Sequence, residues 1–214
     1  MTADTRTRLV DAARDLFWRK GYHTTSVAEI LEQAGANSGS LYHFFPTKQA
    51  LLVAVLEWYA ENLEAEIVGP ARAATDDPVE RVFAVLEGYR KGLLMTELTF
   101  GCPIGNLALE FKEPDPEVRE LLARNFDGWC RAVETLLEEA GERLPPDVEP
   151  EGLSRFVLTT MEGGVMQART HRDIGPFDAS VAHLRRYLES LEETARRERV
   201  PARRESPEER SEGA

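Results

Sequence analysis

The stretch from Thr24 to Lys48, TTSVAEILEQAGANSGSLYHFFPTK, constrains the fold of this chain more than any other. Its apolar positions Val27, Ile30, Leu31 and Ala34 recur at helical spacing, and Thr25 or Ser26 supplies the capping oxygen at the start. Ala34-Gly35-Ala36-Asn37 then reads as a turn. Gly35 ends the first helix through the left-handed backbone that glycine adopts at low cost, and Asn37 or Ser38 caps a second helix running to about Phe45. That helix opens with the small residues Ser38, Gly39 and Ser40, which let its N-terminus approach another surface. Leu41 and Phe44 are expected to anchor it inward, leaving Tyr42 and His43 outside. Pro46 stops it, Thr47 caps the next helix, and Lys48 puts a cation at that helix start.

Two helices joined by such a turn form a helix-turn-helix unit, whose second helix enters the DNA major groove while the first crosses the backbone. The stretch also resembles the DNA-binding signature of the TetR family of transcriptional regulators. Gly21-Tyr22, Thr25-Ser26-Val27, Ile30, Ala34-Gly35, Gly39 through Phe45, and Lys48 carry the resemblance. It implies that Tyr42 and His43 contact phosphates. It also implies that Lys48, Ser26 and the Thr25 hydroxyl fix the DNA backbone on either side, and that Ser38, Gly39 and Ser40 face base edges. Serine reads bases with little selectivity, so shape and deformability are expected to carry much of the specificity. At Ala36-Asn37-Ser38 the chain departs from the family pattern: many members place Val, then Ser or Thr, and often a basic residue there. The cap chemistry survives, and one phosphate or base contact is missing.

Charge is distributed unevenly. The 214 residues sum to a formal charge of −12, whereas residues 1 to 50 hold six Lys or Arg and five Asp or Glu, leaving −13 for the remainder. A broad basic surface is therefore excluded, and DNA binding must rest on a few placed contacts, helix N-termini and dimeric avidity. The polar N-terminus does not read as a secretory signal, and no apolar run approaches membrane-spanning length, so a cytoplasmic protein is expected. Cys102 and Cys130 are too few for a disulfide framework and read as buried small hydrophobes, with redox sensing as the minor alternative. His23, His43, His171 and His183 lack metal-ligand spacing, so neither a metal nor a cofactor is expected. Paired carboxylates such as Glu138-Glu139 and Glu192-Glu193 read as solvated helix faces. Cys102 has no base placed beside it by sequence, and an enzyme has little support.

The rest of the chain reads as helices. One spans about Thr5 to Lys20, and a long one about Thr47 to Val68 is ended by Gly69-Pro70 and links the two domains. Others run from Pro78 to about Thr96, from Pro116 to about Ala140, from Glu151 to His171, and from Asp178 or Ser180 to about Arg197. Phe100 to Phe111 is a Gly- and Pro-rich turn with a short helix. It either packs between helices or borders a cavity that moves with the linker. Candidate cavity residues are Phe83, Tyr89, Phe100, Cys102, Asn106, Phe126, Trp129 and Met161. Glu110, Glu162 and Gln167 are candidates to orient a polar group, and Met166 is a further apolar candidate. Gly163 and Gly164 permit close helix crossing, and the last two helices look like the family's pair that forms a four-helix bundle across a two-fold axis. Phe156, Thr160, Gly163, Gly164, Leu184, Leu188 and Leu191 are its candidate interface.

The expected architecture is all-α. Residues 1–48 form a three-helix DNA-binding domain, 49–196 a helical effector-binding and dimerisation domain, and 197–214 a disordered tail. The implied function is a homodimeric, sequence-specific regulator, most simply a repressor released from a double-stranded DNA operator by a small-molecule effector. The alternative, prompted by the acidity and the missing basic residue, is a helical interaction protein whose DNA-reading unit has degenerated.

Overall fold

The computed structural model describes residues 4–199, and among these it holds ten α-helices and no strand. The first four are α1 (Thr5–Lys20), α2 (Val27–Ala34), α3 (Ser38–Phe44) and α4 (Lys48–Leu63). A π-helical segment, Glu64–Val68, leads into α5 (Gly69–Ala74), followed by α6 (Pro78–Met95), α7 (Pro103–Glu110) and α8 (Pro116–Glu139). A 3₁₀ turn at Gly141–Arg143 precedes α9 (Pro150–His171) and α10 (Gly175–Arg199).

Most starts are set by local chemistry. Asp77, Cys102 and Asp115 are N-caps followed at once by proline, whose missing N–H is no loss in the first turn. Three boundaries differ from expectation. Gly69-Pro70 does not end the linker helix. The helix widens there by one residue, with Gly69 N–H donating to Glu64 O, and then continues through Ala74. The widened turn absorbs the hydrogen bond that Pro70 cannot donate, and glycine suits it because a Cβ at 69 would lie 3.1 Å from the Glu64 carbonyl. The last helix begins at Gly175 rather than Asp178 or Ser180, which frees Asp178 to accept from Arg90 Nε at 2.7 Å. It also continues through Arg199, so residues 197–199 of the expected tail are helical, and 200–214 lie outside the described residues.

Two apolar cores result. One joins Leu9, Phe17, Ile30, Leu41, Phe45, Leu51, Leu52 and Val55 to Ile104, Leu107, Val118 and Leu121, so it runs from the helix-turn-helix head through α4 into α7 and the start of α8. The other packs Val82, Leu86, Trp129, Leu136, Val157, Met161, Phe177 and Leu188 from α6, α8, α9 and α10. Tyr89 packs against both. Thus α4 is at once a wall of the head and the strut that carries it.

Candidate nucleic-acid interface and linked cavity

The head is built on caps. Ser26 Oγ accepts from Glu29 N–H at 3.2 Å, and the Glu29 carboxylate returns the contact to Ser26 N–H at 2.8 Å, closing a capping box. Lys20 and the Ser26 donors together hold the Glu29 carboxyl down to about 2. Gly35 adopts φ +58 at the turn, and Arg8 Nη1 donates to Ala34 O at 2.8 Å, fixing the turn to α1. Asn37 Oδ1 accepts from Ser40 N–H at 2.8 Å and so starts α3.

On α3, Tyr42 is 55% exposed, and His43 faces outward beside it with its ring 4.8 Å from that of Phe44. Ser38 and Gly39 are exposed at the leading end and Ser40 is half-buried. The inward anchors are Leu41 and Phe45, whereas Phe44, expected inside, is 41% exposed. Phe45 lies one full turn beyond Leu41, to whose carbonyl its N–H donates at 2.7 Å, so these two share the inner face.

Two residues expected at the DNA backbone are committed internally. Thr25 is 1% exposed, and its hydroxyl donates to Gly21 O at 2.7 Å, closing the α1–α2 turn. Lys48 donates to the Tyr22 carbonyl, and its ammonium lies 4.2 Å from the Tyr22 ring centroid. Burial lowers the Lys48 pKa, while the Glu110 and Glu29 carboxylates oppose that shift. Lys48 thereby ties the start of α4 to the turn ahead of α2.

That same turn is gripped from the other domain. Glu110, the last residue of α7, accepts from Tyr22 N–H at 2.8 Å and from His23 N–H at 2.6 Å. Phe111 packs beside both rings at about 5 Å, with centroid separations of 5.2 and 5.0 Å. At the opposite end of α7, Trp18 Nε1 donates to Gly101 O at 2.7 Å. The loop ahead of α7 carries two successive non-glycine residues at positive φ, Glu97 and Leu98, and is held by Arg172, which donates to Leu98 O at 2.8 Å, and by Arg169, which donates to Thr99 O at 3.2 Å.

The first residues of α7 line a cavity of about 480 Å³ between α1, α4, α6, α8 and α9. Tyr89, Cys102, Phe126, Trp129 and Met161 border it as expected, together with Glu162. Three expected residues do not. Phe83 packs in the second core beneath the Arg185 guanidinium, Phe100 packs tilted against Trp18 with ring centroids 5.0 Å apart, and Asn106 Oδ1 accepts from Arg169 Nη1 at 2.6 Å. The wall contains residues not foreseen: Trp18, Trp58, Tyr59, Asn62 and Asn125, with Arg14 stacked 3.6 Å from the Trp58 centroid. A readable signal existed in α4, which is apolar on nearly every side from Leu51 to Tyr59 and so had to be covered on both faces.

Glu162 is the half-buried carboxylic acid of this cavity, set beside the buried Cys102 thiol. Burial raises its pKa, partly opposed by a hydrogen bond from Cys102, and burial together with Glu162 raises that of the Cys102 thiol in turn. The carboxyl occupies the space above Gly105 that any side chain there would need. A wider depression of about 740 Å³ lies between the 141–150 connection and the end of α10, but no aromatic side chain lines it.

The expected dimer face divides. Leu184 and Leu188 are buried within the chain, Leu191 packs against the same core, and Gly164 is filled by Phe177, 3.0 Å from where its Cβ would stand. These side chains are consumed by the crossing of α9 with α10 in one molecule. Phe156 remains exposed, its ring edge-on to the exposed Tyr187 at 5.8 Å, and Thr160 and Gly163 lie open on the same side of α9. Met166, also exposed, does not reach the cavity, and Gln167 lies outside it. Among the described residues no helix is long and apolar enough to cross a membrane, and no cluster has metal-ligand composition.

Comparison with known proteins agrees with this layout. Residues 9–55 match the family described as bacterial regulatory proteins, tetR family, and residues 78–184 match the tetracyclin repressor-like C-terminal domain. An uncharacterized HTH-type transcriptional regulator of Mycobacterium tuberculosis is 31% identical over 188 residues, covering 86% of this chain and 93% of the relative. The HTH-type transcriptional repressor DhaR of a Mycobacterium species is 27% identical, covering 81% of this chain and 86% of its own. A TetR transcriptional regulator from Chloroflexus aurantiacus superposes with a TM-score of 0.75 at 30% identity, over 86% of this chain and 94% of that one. Regulatory protein TetR from Rhodobacter sphaeroides shares the fold, with a TM-score of 0.77 at 24% identity over 85% and 97% of the two chains.

Proposed function

Since the chain belongs to the TetR family of DNA-binding transcriptional regulators, we propose that it is a repressor that leaves its operator when a small molecule fills the 480 Å³ cavity. The observation that carries the reading is the pair of physical links between cavity and head. α4 is shared by both, and α7 lines the cavity at one end while its other end holds the Tyr22 and His23 amides through Glu110. A ligand that prefers one setting of α7 and α4 biases the head toward that setting, to the extent of its differential affinity for the two states.

In this reading α3 enters the major groove, Ser38, Gly39 and Ser40 meet base edges, and Tyr42 and His43 meet phosphates on either side. Ser26 keeps its place at the helix start. Thr25 and Lys48 act through the shape of the head rather than by direct contact. The exposed Phe156 and Tyr187 on α9 and α10 are the centre of a two-fold interface, so that two heads address successive grooves. The protein works in the cytoplasm, residues 1–48 with the start of α4 form the reading unit, and the rest to about residue 196 carries the cavity and the dimer face.

Selection from random duplex DNA with the purified chain tests this. The expected result is a two-fold-related site whose affinity falls in Tyr42→Ala and His43→Ala while thermal stability is unchanged. Its salt dependence should flatten by about one unit of log–log slope for each phosphate that a variant leaves unneutralised. Uniform weak recovery, indifferent to both substitutions, would instead favour an interaction protein with a degenerate head.

A further inference from the structure

Two buried polar atoms of the cavity wall have no hydrogen-bond partner, and they are of complementary kinds. One is the indole N–H of Trp129, a donor only, on a side chain 5% exposed. The other is Oε1 of Glu162. Native interiors rarely leave such groups unpaired, because each has lost its water and gained nothing. Within that one cavity, a ligand hydroxyl that reached both atoms would accept from the indole and donate to the carboxyl.

The surroundings define the remainder of the ligand. Trp58, Tyr59, Tyr89 and Phe126 give flat walls that suit a planar aromatic body. Arg14 is the cation among the lining residues, and it is already occupied, stacked on Trp58 and 3.5 Å from Asp11. A carboxylate ligand must compete for that one cation with Asp11 and Trp58 and also faces the acidic Glu66. An ammonium ligand would need Glu162 ionised in a place where burial favours its neutral form. Resting on the effector reading above, we propose that the cavity binds an uncharged planar aromatic molecule bearing a hydroxyl group, with that hydroxyl between Trp129 Nε1 and Glu162 Oε1.

Calorimetric titration of the full chain with 2-naphthol, naphthalene, 2-naphthoate and 2-naphthylmethylamine tests the proposal. The alcohol should bind roughly tenfold tighter than the hydrocarbon, the gain of a donor and an acceptor bond together. The anion and the cation should bind no better than the hydrocarbon. In Glu162→Met and in Trp129→Phe the preference for 2-naphthol over naphthalene should shrink toward parity, with naphthalene binding retained. Two variants on different helices guard against a folding defect in either. Equal binding of 2-naphthol and naphthalene would overturn the proposal. So would tighter binding of either charged probe, absence of heat from all four, or a preference unchanged in both variants. Binding of 2-naphthol that leaves the affinity for selected DNA unaltered would sustain the cavity chemistry and overturn the release reading alone.

Discussion

The Glu110 carboxylate stands where a side chain on Gly21 would have to be: a Cβ at position 21 would lie 2.9 Å from Glu110 Oε2, with the backbone already at φ +85. The missing methyl group is what allows a residue of α7 to reach the turn ahead of α2. Gly21→Ala is expected to push the carboxylate off the Tyr22 and His23 amides and to strain the turn. The cost is on the order of 1–3 kcal/mol for a non-glycine residue held at positive φ. Amide exchange at Tyr22 and His23, together with the thermal midpoint, checks this. Glu110→Ala should accelerate the same two amides with a smaller loss of stability, and unchanged exchange in both variants would show that the grip is not maintained in solution.

Adjacent phenylalanines at the end of α3 should behave oppositely. Phe45, 4% exposed and packed with Leu41, is expected to cost about 3–5 kcal/mol when replaced by alanine. Phe44→Ala should cost less than about 1 kcal/mol, since 41% of its surface is already in water. Denaturant unfolding of the two variants decides between this arrangement and one in which Phe44 is the anchor.

Glu162 gives a pH signature. Burial raises its folded pKa above the ordinary 4.5, so the folded chain binds more protons there than the unfolded chain. Its ionisation handicap is thus absent below pH 4.5 and grows as pH rises through the folded pKa. Glu162→Gln removes the handicap. The variant should match the parent near pH 4 and melt higher at pH 7.5; a gap independent of pH would show that burial does not govern this carboxyl.

Phe156→Asp places a charge at the exposed aromatic pair of α9 and α10. Sedimentation at micromolar concentration should then show a monomer with undiminished helicity, whereas the parent chain is expected to sediment as a dimer. A dimer that survives the substitution would move the interface elsewhere.

Local chemistry was legible in the sequence. Ser26, Asn37 and Thr47 cap helices because each side chain needs only the backbone three residues ahead, and Gly35 closes its turn for the same reason. What the pattern could not give was the choice among distant partners. Thr25 and Lys48 each had a free polar group by sequence, and each spends it on a carbonyl of the α1–α2 turn that only folding brings near. Leu184 and Leu188 form an apolar stripe, but a stripe does not say whether its cover belongs to the same molecule. Gly69-Pro70 looked like a stop because both residues disfavour an ordinary helix, whereas a wider turn accommodates both. The cavity was half visible: the aromatics of α6 and α8 were foreseen, and those of α1 and α4 were missed because their other neighbours serve the head.

All three tryptophans of the chain, Trp18, Trp58 and Trp129, lie on the wall of that one cavity. Excited at the red edge of its absorption, the protein therefore glows from a single place, while the DNA-reading face stays dark. Emission responds directly to what occupies the chamber, and to what touches α3 only through the helices that join the two. The chain carries its own optical gauge of occupancy, and with a labelled DNA as the second colour, filling and release can be followed separately in one cuvette.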